Sequence, residues 1–120
     1  MVKREYIPDT GDVLWIAFSP QVGHEQAGRR PAVVLSPSSY NQKASLASLC
    51  PITSHAKGYP FEVVLPVGSR FRGVILADQL RTLDRQQRKL QKAGKIPPEV
   101  LNQVRKRIDW TFLINLGCLS

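Results

Sequence analysis

Arg30-Pro31-Ala32-Val33-Val34-Leu35-Ser36-Pro37 is an apolar, β-branched run entered through arginine and closed by Ser-Pro. It predicts a buried strand over Pro31 to Leu35, with the proline at the first strand position, where no ladder donor need be lost. A polar stretch with two glycines, Gln21 to Arg30, precedes it and predicts an exposed loop of the length that often carries function. Before that loop, Val13 to Phe18 is a second apolar run, opened by Gly11-Asp12 and closed by Ser19-Pro20, and reads as the first strand.

Downstream, a polar turn around Asn41-Gln42 leads to a third strand over Ser45 to Ile52. The turn Lys57-Gly58-Tyr59-Pro60 introduces a fourth over Phe61 to Leu65, and a fifth covers Gly73 to Leu80. Short strands joined by Gly/Pro turns argue for a small, strongly curved, barrel-like sheet. Asp84 to Lys92 is rich in Gln, Arg and Lys, and propensity favours a helix there, cut short by Gly94 and Pro97-Pro98. Pro98 opens a clearer helix: Glu99 follows near the positive end of its dipole, and Val100 or Leu101, Val104, Ile108 and Phe112 recur at helical spacing. Arg105, Lys106 and Arg107 lie between these apolar positions and are expected to face water. The apolar tail Leu113 to Ser120 is expected to pack on the sheet or on a second subunit.

Residues 1–120 are read as one domain, long enough for one hydrophobic core and too short for two. Hydrophobic residues make up 42% of the chain, which supplies that core, so disorder is not expected. Seventeen Lys and Arg against nine Asp and Glu leave a net charge of +8, a field that attracts polyanions. Nucleic acid leads, because a phosphate backbone rewards nearby cations through counterion release, while an anionic membrane or an acidic protein would use the same field. Cys50 and Cys118 form no CxxC, so neither a disulfide framework nor a zinc module is signalled. The amino-terminal stretch lacks the apolar core of a signal peptide, and no window is long and apolar enough for a membrane helix. A reducing cytoplasm is the expected compartment.

The usual catalytic signatures are missing: the chain has no P-loop, no G-x-S-x-G elbow and no H-E-x-x-H. With His24 and His55 as its only histidines, neither a metal nor a cofactor is expected. Arginine chemistry remains. Cleaving RNA by internal transesterification requires deprotonating a 2'-hydroxyl, stabilising the phosphorane and protonating the leaving 5'-oxygen. A guanidinium offers a fork of donors matched to phosphate oxygens, and a neighbouring hydroxyl can share the developing charge. Arg30 stands where the polar loop enters a strand, and Thr53 at the exit of the third, followed by Ser54 and His55. If the second and third strands pair as a hairpin, both emerge at one end of the sheet. On spacing alone, Arg30 also suits a solvated strand end and Thr53 a turn cap.

Four segments extend this reading: Tyr6-Ile-Pro-Asp-Thr-Gly-Asp12, Glu25-Gln-Ala-Gly-Arg-Arg-Pro-Ala-Val-Val-Leu-Ser-Pro37, Lys57-Gly-Tyr-Pro-Phe-Glu-Val-Val-Leu65 and Gly73-Val-Ile-Leu-Ala-Asp-Gln79. In order and spacing, up to about Leu80, they resemble the MazF branch of the MazF/PemK toxins. The resemblance implies a mostly β (α+β) fold with short helices, an SH3-like, plug-containing β-barrel, and a homodimer. It implies an mRNA interferase, an endoribonuclease cutting single-stranded RNA at short motifs and leaving a 2',3'-cyclic phosphate and a 5'-hydroxyl. It further implies an antitoxin, expected to be acidic given the net charge. The family's catalytic arginine and threonine fall on Arg30 and Thr53. Glu25, Gln26, Arg29, Ser54, Lys57 and Gln79 border the same end of the implied sheet and are the expected RNA-binding residues.

Two departures stand out. Arg29 makes the catalytic arginine a doublet, and the match weakens after Thr82, where the family pattern places a strand near Lys89 to Ile96 against the helix that propensity favours. For topology the family pattern is preferred. The competing functions are a toxin of the same fold that poisons DNA gyrase without cutting, and a non-toxic SH3-like adaptor. The adaptor is disfavoured, since aromatics total only 8% and lie scattered.

Overall fold

The computed structural model describes residues 6–16, 29–84 and 90–119. Among these residues, seven strands and two helices run in the order β1 (Asp12–Ile16), β2 (Arg30–Val34), α1 (Ser38–Ala44), β3 (Leu46–Thr53), β4 (Glu62–Val64), β5 (Val74–Leu76), β6 (Arg81–Asp84), β7 (Gln91–Lys95) and α2 (Pro98–Leu119). Every pairing is antiparallel, and the order is β4-β5-β3-β2-β1-β7, with β6 also joined to β3. The mostly β architecture with helices is as expected. The expected barrel is not closed by strand pairing among the described residues, since β4 and β7 remain at the ends of the path.

The near-continuous apolar runs of β1 and β2 have a direct cause: both faces of these strands are buried. Val13, Val33 and Cys50 face one core together with Ile52, Ile75 and Val63. Leu14, Ile16, Ala32, Val34 and Leu49 face another, against Leu83 and Leu90. Helix α2 covers the first core with Val100 and Val104, the latter fully buried, as its apolar spacing predicts. Arg105 and Lys106 face water as expected, but Arg107 is half-buried. Trp110 packs on Phe61 with ring centroids 5.3 Å apart, joining α2 to the turn before β4. The backbone of α2 continues through Gly117, so the tail up to Leu119 is helical.

Three sequence expectations need correction. The polar turn at Asn41-Gln42 is helix α1. Its anchor is Asn41, whose buried side chain donates to the carbonyls of Pro8 (2.9 Å) and Ser36 (3.0 Å) and accepts from the Ser36 hydroxyl (2.6 Å). The expected fifth strand, Gly73 to Leu80, stops at Leu76: a 3-10 turn, Ala77–Gln79, turns the chain into β6. Strand β3 accordingly takes two partners on one edge, β6 along Leu46 to Leu49 and β5 at Ile52 and Thr53.

The helix expected over Asp84 to Lys92 is contradicted at both described ends, where Asp84 closes β6 and Gln91 and Lys92 open β7. Pairing with β1 overrides propensity: Gln91 pairs with Trp15, Lys92 with Leu14 and Lys95 with Asp12. The strand implied by family resemblance near Lys89 to Ile96 is the one observed; Lys89 itself lies outside the described residues.

Asp12 pins this edge. Its buried carboxylate accepts the Tyr6 hydroxyl, the Asp9 backbone N–H (3.0 Å) and Lys95 Nζ (3.2 Å), with Lys92 Nζ at 3.6 Å. Burial alone raises a carboxyl's pKa, but here those donors prevail and hold Asp12 below its ordinary value. The Tyr6 phenol is driven well above its ordinary value by burial and by the same carboxylate.

Candidate functional site

The β2/β3 ladder sets Val34 opposite Leu49, Val33 opposite Cys50 and Ala32 opposite Pro51. Continued two residues to the strand ends, that register brings Arg30 across from Thr53. Arg30 is exposed and Thr53 partly so, and both line one cavity of about 330 Å³ with Ser54, His55 and Arg72. On the other side of β3, Thr53 pairs with Val74.

That second pairing draws the chain before β5 tightly under Thr53. Gly73 has φ +110°, and a Cβ placed on it would lie 2.0 Å from the Thr53 carbonyl oxygen and 2.8 Å from Ser54 Cα. Only glycine fits this approach. It also carries Arg72, the preceding residue, to the cavity as a second guanidinium.

A second cavity, about 310 Å³, shares the wall formed by Thr53 and His55 and extends to Lys57, Tyr59, Asp78 and Gln79. Its loop is held from below by Glu62, the buried first residue of β4. The Glu62 carboxylate accepts the backbone N–H of Lys57 (3.0 Å) and of Gly58 (3.0 Å). Within the shared wall, the His55 backbone N–H donates to Thr53 Oγ1 at 3.1 Å, and His55 Nδ1 lies 3.4 Å from Ser54 Oγ. Since Thr53 Oγ1 accepts that bond, its own proton is available to a ligand oxygen.

The structure therefore brings together Arg30, Thr53, Ser54, Lys57 and Gln79 of the residues expected from the sequence. Arg29 does not line either cavity; its guanidinium Nη2 donates to Gln91 Oε1 (2.8 Å), tying the start of β2 towards β7. Glu25 and Gln26 lie outside the described residues. Sequence reasoning missed Arg72, Glu62, Tyr59 and Asp78 as site residues and weighed His55 only as a metal ligand. A charged residue inside the apolar run Phe61 to Leu65 was the available signal for Glu62; Arg72 carried none.

Three cations, Arg30, Arg72 and Lys57, face the joined cavities against Asp78 and the backbone-bound Glu62, an arrangement suited to a polyanion. Among the described residues no group of three or more His, Cys, Asp or Glu is arranged to hold a metal ion. Cys50 is no nucleophile: burial, with Asp78 nearby, pushes its thiol up to about 12.

Arg30 and Thr53 thus meet in one cationic cavity, at the start of β2 and the end of β3. The family model for "PemK-like, MazF-like toxin of type II toxin-antitoxin system" matches residues 9–112. The chain belongs to the PemK/MazF toxin family. It is 48% identical over 109 residues to the endoribonuclease toxin MazF of Escherichia coli (strain K12), covering 91% of this chain and 96% of that one. It is 32% identical over 113 residues to the endoribonuclease PemK of Escherichia coli, covering 91% and 85%. A MazE-MazF crystal structure from Deinococcus radiodurans superposes with a TM-score of 0.83 at 48% identity, over 90% of this chain and 97% of that one. The family match takes in both cavities and the strands that build them.

Proposed function

We propose that this PemK/MazF family member is an endoribonuclease toxin, an mRNA interferase that cuts single-stranded RNA at short sequence-defined sites. The observation that carries the reading is the placement of Arg30 and Thr53 at facing strand ends in one cavity. The 2'-hydroxyl of the nucleotide before the cut attacks the adjacent phosphorus. The Arg30 guanidinium donates to the phosphorane oxygens and stabilises their added charge, and the Thr53 hydroxyl donates a further hydrogen bond. The products are a 2',3'-cyclic phosphate and a 5'-hydroxyl. The charge stabilisation comes from the protein's own cations, so the reaction proceeds without metal or cofactor.

Ser54, Lys57 and Gln79 bind the RNA beside the cut, Lys57 on a phosphate and Gln79 on a base edge. Glu25, Gln26 and Arg29 are further RNA contacts in this reading, as the family resemblance implies. The net charge of +8 makes an acidic antitoxin the fitting inhibitor, and the active form is a cytoplasmic homodimer of the single domain 1–120. The MazE-MazF structures support the antitoxin partner. The gyrase-poisoning alternative draws no support from these relatives, which are named for RNA cleavage.

The test is incubation of the purified chain with RNA oligonucleotides in EDTA, with the 5' ends of the fragments sequenced. Cleavage at one short motif, leaving 5'-hydroxyl ends, is expected. Intact RNA alongside inhibited gyrase would overturn the reading.

A further inference from the structure

Transesterification needs a group that takes the 2'-hydroxyl proton, and neither Arg30 nor Thr53 is suited to it. A guanidinium stays protonated, and a threonine hydroxyl is a negligible base near neutrality. Of the carboxylates at the cavities, Glu62 is engaged by the Lys57 and Gly58 N–H groups. Asp78 lines only the second cavity, not the one that holds Arg30. Thr53 and His55 are the two residues common to both cavities. Imidazole is the side chain that exchanges protons near neutral pH.

Resting on the ribonuclease reading above, we propose that His55 is the general base of the cleavage step. Its backbone N–H donates to Thr53 Oγ1, which ties the His55 backbone to the hydroxyl that meets the phosphate, and its side chain lines the cavity that holds Arg30. His55 Nδ1 lies 3.4 Å from Ser54 Oγ, and in the tautomer that carries its proton on Nδ1 the lone pair is on Nε2. The groups facing the ring are Arg30 and Arg72 across the first cavity, and Lys57, Tyr59, Glu62 and Asp78 across the second.

In the step, the 2'-hydroxyl proton passes to His55 Nε2 as the 2'-oxygen bonds to phosphorus. The bond from phosphorus to the 5'-oxygen then breaks, its electron pair staying on that oxygen, which takes a proton from water. The imidazolium gives its proton to the resulting hydroxide and returns to the neutral ring. Ser54 is a positioning residue for the ring.

The test is kcat/KM for the full-length chain on an RNA oligonucleotide carrying its mapped site, from about pH 5 to about pH 8. Wild type should show a rate that rises with pH and then levels. His55→Gln should flatten that rise and lower the plateau by about 100-fold or more. Because the bond to Thr53 comes from the backbone, the substitution leaves Thr53 held, and affinity for an uncleavable 2'-deoxy oligonucleotide should be unchanged. Added imidazole should restore part of the rate to His55→Gly. A His55→Gln enzyme with the wild-type rate and pH profile would overturn the proposal. So would loss of an alkaline limb in place of the acid one, which would make His55 the acid. A wild-type chain that cuts no RNA at any pH would instead sink the ribonuclease reading itself.

Discussion

Arg30 and Thr53 stand across from each other at the ends of β2 and β3, in the register that pairs Ala32 with Pro51. Backbone ladders, not a flexible loop, therefore set their separation. Arg30 is paired to Ile16 of β1, and Thr53 to Val74 of β5. The backbone of each residue is thus tied to a neighbouring strand, the kind of support that holds a site in place when it binds.

Gly73 is the weak point of that support. Gly73→Ala forces a Cβ to 2.0 Å from the Thr53 carbonyl oxygen in a backbone conformation that L-residues avoid. The Thr53–Val74 pairing should open, at a cost of about 2 kcal/mol or more in urea unfolding. RNA cleavage should fall with it. A variant with wild-type stability and activity would show that β5 does not press on the site.

Asp12 sets an acid limit on stability. Held below its ordinary value of 3.8, this carboxyl binds a proton less readily folded than unfolded. Its contribution is complete above the unfolded value and is lost as pH falls through the folded one. Asp12→Asn should therefore cost about 2 kcal/mol at neutral pH and lose less stability than wild type below about pH 4. Lys92 and Lys95 are about half exposed, so screening limits their share, and high salt should change little. Parallel acid unfolding curves for the two proteins would refute this role.

Cys50, fully buried with its thiol pushed up to about 12, should resist thiol reagents in the folded chain. In a Cys118→Ser background, labelling of Cys50 at about pH 8 should proceed only at the rate of unfolding. Rapid labelling without denaturant would contradict the burial.

The central strands were legible in the sequence because burial on both faces writes them as unbroken apolar runs, as in Val13–Ile16 and Ala32–Val34. So was the meeting of Arg30 and Thr53, which needs only that two neighbouring runs pair as a hairpin. Helix α1 was hidden because tertiary bonds of Asn41 to Pro8 and Ser36 hold it, and its polar residues show no apolar period. Strand β7 was hidden for a related reason. Gln91 and Lys92 favour helix locally, and only pairing with Trp15 and Leu14 makes them strand. Arg72 reaches the cavity through the tight approach at Gly73, a three-dimensional fact with no local signature.

In the proposed reaction Arg30 and Thr53 promote attack by a 2'-hydroxyl. The most direct measurement uses an RNA oligonucleotide with one deoxyribose at the mapped cut, in EDTA, with wild type, Arg30→Ala and Thr53→Ala. The deoxy substrate should be bound and left uncut, and Arg30→Ala should cut the all-ribose substrate about 100- to 1,000-fold more slowly. Thr53→Ala should lose less, since a neutral hydroxyl stabilises charge less than a guanidinium fork. Cleavage of the deoxy substrate at the normal rate, or undiminished cleavage by Arg30→Ala, would contradict it.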